Sequence, residues 1–371
     1  MRSKLNYVLA VTALVVALAT PGTAAAQDPD ELWRAGAASA RNGDSRGCID
    51  SLRAALKAGG EAYEAWGWLH MTLGMCLAQR NQRDEAISEL QTAKDLVSDD
   101  QEHFKVNNSL AQVYIARGAA GDYDRAIAAE NEAGQYAADA RMRGLHSKTL
   151  GQAYYFKEDW SSAVRHLGDA AAARATDADL AQKLGRAHFE SGNVTQAKQW
   201  FEKTLSLDRN NNAAVTNLGR LYLDEQNYDQ AIGYLVRAVQ ADPQNMQIRN
   251  MLGRAYLGRR QYSDAISQLR QVVQTRSSDG NAHYNLGQAY QASGDDANAI
   301  ASYSNALRYL TAGSAARAGA LYDVAFVYEK VGEFPDALAA FEDAAAINPD
   351  SKTTAAIERV KERIRRQKSG S

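Results

Sequence analysis

The chain has 371 residues, of which 45% are hydrophobic and 23% charged, with 5 prolines, 2 cysteines and a formal net charge of −2. The hydrophobic share is too high for a disordered chain, and two cysteines are too few for a disulfide framework of this length. The near-neutral charge argues against a nucleic-acid binder that depends on bulk positive charge. At about 150 residues per domain, length alone would suggest two or three globular domains.

Residues 1–26 have the pattern of a cleaved secretory signal. Two basic residues precede an apolar run of 13 residues at 7–19, and three alanines at 24–26 supply the small side chains expected before a cleavage site. The alternative is an uncleaved membrane anchor, but a Pro-Gly pair at 21–22 interrupts the segment before it reaches the roughly 20 residues that a spanning helix needs. We therefore expect an exported bacterial protein, periplasmic or secreted, cleaved after Ala26.

A 34-residue repeat organises the rest of the chain. The pattern Leu218, Gly219, Tyr222, Ala231 recurs at this period, and five units follow one another without a gap from 144 to 313. Counted from the first residue of each unit, position 8 is Gly in seven units. Position 20 is Ala in eight, once about three extra residues around 118–121 in the third unit are allowed for. With short insertions the frame gives nine units: 29–62, 67–100, 104–140, 144–177, 178–211, 212–245, 246–279, 280–313 and 318–351.

The repeat positions predict pairs of antiparallel helices. Small residues at positions 8 and 20 let two helices approach closely, while Leu at position 7 and Tyr at position 11 lie on one helical face beside that contact. Turn residues such as Ser191, Gly192 and Asn193 fall between the two helices of a unit. These residues and their period resemble the tetratricopeptide repeat family over residues 29–351. The resemblance implies an all-α fold, a right-handed α-solenoid of about nine helix–turn–helix repeats.

Residues 352–371 are predicted to add a capping helix with a basic tail. Ile357, Val360 and Ile364 form an apolar stripe that could cover the open end of the last repeat. The same segment carries seven Lys or Arg residues and two Glu. One interpretation is a solvated basic face, and the other is contact with an anionic surface such as a lipid layer or an acidic protein.

No catalytic or metal-binding motif is found in the sequence. Phosphate-binding, dinucleotide-binding, nucleophile-elbow and zinc-helix patterns are absent, and none of the six histidines stands three or four residues from another. We therefore expect no enzymatic activity, no cofactor and no metal. Cys48 and Cys76 fall on the second helix of unit one and the first helix of unit two, which are adjacent in a stack. In an oxidising compartment they could form a disulfide, and buried free thiols are the alternative.

In this family the first helices of successive repeats line a concave groove, and the resemblance implies that positions 2, 5, 9, 12 and 13 face it. The N-terminal half of the groove is then largely apolar, with Trp33, Trp68, Met71, Met75, Tyr155 and Phe156. The C-terminal half is polar, with arginine at position 9 of three consecutive repeats and amide side chains around them: Arg186, Arg220 and Arg254, and Gln182, Asn217, Asn250, Asn285 and Gln288.

The polar half predicts a site for an extended, acidic or C-terminal peptide. Helical layers about 10 Å apart and a peptide rise of about 3.3 Å per residue would let the three arginines face about six residues. Amide side chains pair with main-chain groups, and arginine can bind a carboxylate with two hydrogen bonds. Alternatively, Arg186 and Arg220 pair with Glu190 and Asp224 four residues on. The apolar half could equally be core packing.

Together these features predict an exported scaffold or adaptor that binds a protein or peptide partner in its groove. The alternative is an accessory subunit of envelope polysaccharide export or outer-membrane assembly, in which the aromatic groove residues would matter. An enzyme with an unrecognised site is less favoured, because the repeat frame leaves no spare domain. We expect no nucleic-acid partner, and the sequence leaves the partner's identity and the oligomeric state open.

Overall fold

The computed structural model describes residues 28–59, 66–173 and 177–369, so the predicted signal segment lies outside the described residues. All regular structure in these ranges is helical, in nineteen helices without a strand. The described chain divides into two compact units, one up to Asp122 and one from Tyr123 onward. The helices are α1 (Pro29–Arg41), α2 (Ser45–Ala58), α3 (Trp66–Gln79), α4 (Arg83–Leu96), α5 (Asp100–Arg117), α6 (Asp122–Gln135), α7 (Ala140–Phe156), α8 (Trp160–Ala172), α9 (Ala178–Glu190), α10 (Val194–Leu207), α11 (Asn212–Asp224), α12 (Tyr228–Ala241), α13 (Met246–Gly258), α14 (Tyr262–Thr275), α15 (Gly280–Ser293), α16 (Asp296–Tyr309), α17 (Ala315–Val331), α18 (Phe334–Ile347) and α19 (Ser351–Ser369).

Neighbouring helices pack as hairpins that follow the repeat. In the first unit α1 packs on α2 and α3 on α4, and in the second unit each hairpin from α7–α8 to α17–α18 packs in the same way. The second helix of a hairpin then packs on the first helix of the next one. The predicted fold class, an all-α solenoid of helical repeats, is therefore confirmed.

Most first helices begin at a capping residue near the end of the preceding repeat. Asn211, Asn245 and Asp279 accept hydrogen bonds from backbone N–H groups in the first turn of α11, α13 and α15. Three of the insertions between repeats lengthen the next first helix. Helices α5, α7 and α17 have 18, 17 and 17 residues, whereas the other first helices have 13 or 14.

Glycine at repeat position 8 makes room for a large side chain on the second helix. A methyl group added to Gly219 would lie 2.8 Å from Leu235 Cδ2, and one added to Gly253 would lie 2.6 Å from Leu269 Cγ. Both leucines are fully buried, as is Ala231 at position 20. The space beside the two small residues is therefore filled by a large apolar residue four positions after the alanine.

The turn inside each repeat contains a residue in the left-handed region at position 15. The φ angle at this position lies between 59° and 91° in all nine repeats. Five of these residues are glycine, which adopts this conformation without a steric penalty. The other four are Asn81, Glu158, Gln226 and Arg260.

A disulfide joins the first two repeats. Cys48 of α2 and Cys76 of α3 are bonded, with their Cα atoms 6.4 Å apart. Both residues are almost completely buried, in seam positions where other repeats carry mostly alanine. The bond therefore links adjacent hairpins inside the first unit.

Helix α19 packs its apolar stripe against the last hairpin. Val360 is fully buried, and Ile357 and Ile364 pack on the cluster that contains Phe341 of α18. The apolar residues that the sequence assigned to a cap thus lie against the end of the repeat array. A terminal helix of this kind shields the face that the last repeat would otherwise expose to water.

The basic side chains of α19 are mostly engaged within the chain. Glu329 of α17 accepts two hydrogen bonds from Arg359, with N–O distances of 2.8 and 2.6 Å, and lies 3.4 Å from Arg363. The side chain of Glu329 is only 6% exposed. Further ion pairs on α19 are those of Lys361 with Glu342 and Glu358, and of Arg365 and Arg366 with Glu362.

Candidate functional site

The first helices form the inner side of the repeat array in the second unit. Helix α11 contacts α13, α13 contacts α15, and α15 contacts α17. Among the described residues, no two successive second helices share a comparable contact. Helices that approach one another across successive repeats lie on the concave side of a curved stack, because the outer helices are spread apart.

A cavity of about 440 Å³ opens on this inner side. It is assembled from three consecutive first helices. Positions 9, 12 and 13 of the repeat supply most of its lining, and these are positions expected to face the groove. The lining residues are Leu223 and Asp224 of α11, Arg254, Leu257 and Gly258 of α13, Asn285 and Gln288 of α15, and Gln226 and Tyr228 beside them.

The three position-9 arginines have different surroundings. Arg186 pairs with Glu190 at 3.6 Å, which is the intrahelical alternative that the sequence left open. The guanidinium of Arg220 instead lies 4.0 Å from the ring centroid of Phe189, and its buried Nε has no hydrogen-bond partner among the described residues. Arg254 makes no hydrogen bond or ion pair with any described residue and lines the cavity.

Gly258 leaves Arg254 without a pairing residue one turn further along its own helix. Four residues after Arg254, where Arg186 has Glu190, Gly258 offers no side chain to pair with. A methyl group on Gly258 would overlap the ring of Tyr228, which forms part of the cavity wall. The second helix of the preceding hairpin therefore occupies the space beside the arginine.

Four of the five predicted amide side chains differ in the hydrogen bonds that they make. Asn285 donates from Nδ2 to Oδ1 of Asn250 at 2.9 Å, which joins α15 to α13. Asn217 donates to the carbonyl of Ala213 in its own helix at 2.9 Å. Gln182 is partly exposed and has no hydrogen bond with a described residue. Of the five amides, two therefore line the cavity and one supports it from the neighbouring helix.

Gln288 belongs to a hydrogen-bonded cluster with two residues that sequence analysis missed. Its Nε2 donates to the hydroxyl of Tyr284 at 3.0 Å, and that hydroxyl donates to Oδ2 of Asp323 at 2.9 Å. Burial raises the pKa of Asp323, while the hydrogen bonds from Tyr284 and Gln288 and the charge of Lys352 oppose the rise. Burial and the neighbouring carboxylate raise the pKa of Tyr284.

A signal for Asp323 was present in the repeat frame. Asp323 occupies position 6 of its unit, as do Asn217 and Asn285. Aligning that position across the units would have added Asp323 to the polar half of the groove.

The predicted apolar half is only partly accessible. Trp68, Met75 and Phe156 are 42%, 46% and 42% exposed, whereas Trp33 is half-buried. Met71 and Tyr155, the other two residues of this half, are only 2% and 9% exposed, which favours the core-packing alternative.

These two residues pack within the repeat array. Met71 occupies repeat position 5, and in the second unit the residue at this position, Asn250, contacts the next first helix through Asn285. The ring of Tyr155 contacts those of Phe156 and Trp160 edge-on, at centroid distances of 5.2 and 5.6 Å.

Two further properties concern the described residues as a whole. Within them, no helix combines the length and apolar character required to cross a membrane. No three His, Cys, Asp or Glu side chains in the described ranges gather as a metal site would require.

Comparisons with known proteins agree with the repeat. Two family models described as tetratricopeptide repeat match the chain, one over residues 222–274 and the other over 148–214, 183–246 and 250–315. No curated protein sequence matches the chain.

Solved structures of repeat proteins are also similar. The C-terminal part of a TPR repeat-containing protein from Cytophaga hutchinsonii is 18% identical, with 68% of this chain and 99% of that one aligned at a TM-score of 0.51, and shares the fold. MamA of AMB-1 is 26% identical over 45% of this chain and 92% of its own, with a TM-score of 0.43. YrrB, described as a TPR protein with an unusual peptide-binding site, is 21% identical over 49% and 92%, with a TM-score of 0.44.

The 34-residue period, the hairpin architecture and the family matches lead to one assignment. Residues 148–315 are therefore tetratricopeptide repeats, a helical-repeat architecture that presents an extended concave surface.

Proposed function

We propose that the chain is a protein-interaction scaffold that holds an extended segment of a partner protein across α11, α13 and α15. One observation carries this proposal. A cavity of about 440 Å³ is assembled from three consecutive first helices, and its wall contains an arginine that makes no hydrogen bond or ion pair with a described residue. A side chain that is held on a rigid helix and left unpaired is available to a ligand at little cost in internal contacts.

The cavity offers opposite charges on neighbouring repeats. Arg254 of α13 and Asp224 of α11 both line it, and neither makes a hydrogen bond or ion pair with a described residue. Arginine binds a carboxylate with charge-assisted hydrogen bonds, and aspartate accepts them from a lysine or arginine of a partner. The segment that fits therefore carries an acidic and a basic side chain.

Amide oxygens on the next first helix, α15, suit a peptide main chain. Asn285 and Gln288 use their NH₂ groups in hydrogen bonds within the chain, and their carbonyl oxygens receive none from a described residue. They are therefore free to accept hydrogen bonds from peptide N–H groups. Three first helices about 10 Å apart would face about six residues of an extended segment.

The proposal is tested by selecting peptides on the full chain from a random 12-residue phage library and measuring the affinity of the synthetic peptides by calorimetry. Arg254→Glu should weaken their binding about 10- to 100-fold, because it replaces a charge-assisted hydrogen bond by repulsion. Arg308→Glu is the matched control, since Arg308 is an exposed arginine of α16 that also lacks a partner among the described residues. Equal affinities for the two variants, or no selected binder, would contradict the proposal.

We also propose that the protein is exported and acts outside the cytoplasm. The signal-like segment 1–26 supports this, and so does the buried disulfide between the first two repeats, because disulfides persist in oxidising compartments. N-terminal sequencing of the protein purified from its native cells should find Gln27 first. A mature chain that retains residues 1–26 would contradict cleavage.

The predicted contact of the C-terminal helix with an anionic surface stays a prediction. Five of the seven basic side chains in this segment already pair with acidic residues of the chain. Vesicle flotation of the full chain with anionic lipid is the test, and a chain that stays with the soluble fraction would favour the solvated basic face.

A further inference from the structure

The first unit has a cavity of its own, of about 330 Å³, between α3 and α5. Repeat positions 9, 12 and 13 in α3 and repeat positions 9 and 13 in α5 line it. These are the positions that also line most of the cavity of the second unit. The lining residues are Met75, Ala78 and Gln79 of α3, Arg83 of α4, and Ser109, Gln112, Val113 and Ala116 of α5.

The lining of this cavity is apolar with a single cation. Four of the eight lining residues are apolar, three are neutral and polar, and Arg83 is the only charged one. Arg83 makes no hydrogen bond or ion pair with a described residue, and the side chain of Met75 is 46% exposed. This chemistry differs from that of the second unit, whose cavity carries both an arginine and an aspartate.

Trp68 extends the apolar surface beyond the cavity. It precedes Met75 by seven residues on α3, so that both lie on one face of the helix. Its indole N–H donates to Glu102, and the ammonium of Lys105 lies 5.4 Å from its ring centroid. These contacts with α5 hold the ring in place while 42% of the residue stays exposed.

We propose that this cavity is a second, independent binding site, for a partner segment in which an apolar side chain is followed closely by an acidic one. The apolar side chain packs against Met75 and Val113, and the acidic one pairs with Arg83. Charge complementarity supports this occupant, since the lining holds one unpaired cation and no anion. A volume of about 330 Å³ lies at the small end of ligand sites, and suits one large side chain with its neighbour.

The test uses the full chain carrying Arg254→Glu, so that the site of the second unit does not contribute. Peptides from the random 12-residue phage library are selected on this variant. Their sequences should be enriched in an apolar residue with an acidic residue one to three positions away. Their affinity should fall at least tenfold when Met75→Lys or Arg83→Glu is added.

Two matched controls keep the test specific. Leu96→Lys changes an equally exposed apolar residue on the second helix α4, and Arg41→Glu changes an exposed arginine of α1 that also lacks a partner among the described residues. Circular dichroism should show that all four variants keep the helical fold. Peptides without the apolar–acidic pair, or equal affinity for the Arg83 and Arg41 variants, would overturn the inference. The site proposed in the second unit would be unaffected by that result.

Discussion

Two glycines in one hairpin, Gly151 and Gly168, should respond in opposite ways to replacement by alanine. Gly151 lies in α7 at repeat position 8, where an added methyl group would lie 2.8 Å from both the backbone N and Cγ of Leu167. Gly168 lies in α8 of the same hairpin, and a methyl group there would meet no atom within 4 Å. We therefore expect Gly151→Ala to destabilise the hairpin and Gly168→Ala to stabilise it.

The difference between the two variants isolates the steric term. Replacing glycine by alanine inside a helix is favourable by about 1 kcal/mol, and this gain is common to both variants. Non-bonded carbon atoms in van der Waals contact lie about 3.5–4.0 Å apart. The methyl group of Gly151→Ala must therefore displace the α8 backbone, and not only a flexible side chain. Overpacking of this kind costs about 1–3 kcal/mol. The free energies of unfolding should therefore differ by about 1–3 kcal/mol.

The measurement is urea unfolding followed by circular dichroism, with hydrogen exchange of α7 and α8 as the local readout. Hydrogen exchange matters because the stability of repeat arrays is set locally by each repeat and its neighbours. Gly168→Ala should slow exchange in α8, and Gly151→Ala should speed it in both helices. If both variants shift the urea midpoint in the same direction by similar amounts, the close helix approach at position 8 does not have the importance assigned to it.

The remaining predictions concern the two ends of the chain. The Cys48–Cys76 bond closes a loop with a sequence separation of 28, which corresponds to about 3–4 kcal/mol in the chain-entropy treatment. Reduction, or replacement of both cysteines by alanine, should therefore speed hydrogen exchange in α1 and α2 while α11 to α14 are unchanged, and unaltered protection would contradict a tethering role. At the other end, hydrogen bonds from Arg359 lower the pKa of Glu329, so the pair stabilises the fold above the unfolded pKa of about 4.3 and loses this effect as the pH falls through the lower folded pKa. The protection factors of α19 amides, which correct for the intrinsic exchange rate at each pH, should fall on acidification in the native chain. Glu329→Gln should remove that pH dependence, whereas an unchanged acid response would exclude Glu329 as its source.

The sequence predicted the architecture well because the same residue types recur at the same positions of many units. A single Gly or Ala carries little information, but the same small residue at one position of seven or eight units fixes the helix pairing. What the pattern could not show was the partner of each glycine. The large residue that fills the space, Leu235 opposite Gly219 for example, varies between leucine, phenylalanine and tyrosine among the repeats.

The candidate site was less predictable because its contacts run between repeats. Spacing along one helix identified Glu190 as a partner of Arg186, and the structure has that pair. The same spacing failed for Arg220, whose guanidinium lies over Phe189 of the preceding repeat and not beside Asp224. Contacts of this kind depend on the rotation between neighbouring hairpins, and side-chain periodicity within one helix does not contain that rotation.

The left-handed turns give the array an uneven distribution of backbone strain. A residue other than glycine in this conformation costs roughly 1–2 kcal/mol, and asparagine costs less. Gln226 and Arg260 are the two turn residues of consecutive hairpins, α11–α12 and α13–α14, and these hairpins carry most of the cavity of the second unit. The hairpins α9–α10 and α15–α16 on either side have glycine at the same position. Within the described residues, the stretch proposed to bind a partner is thus the one in which two consecutive turns lack glycine. A bound segment that bridges both hairpins would favour the folded state there and offset part of that strain.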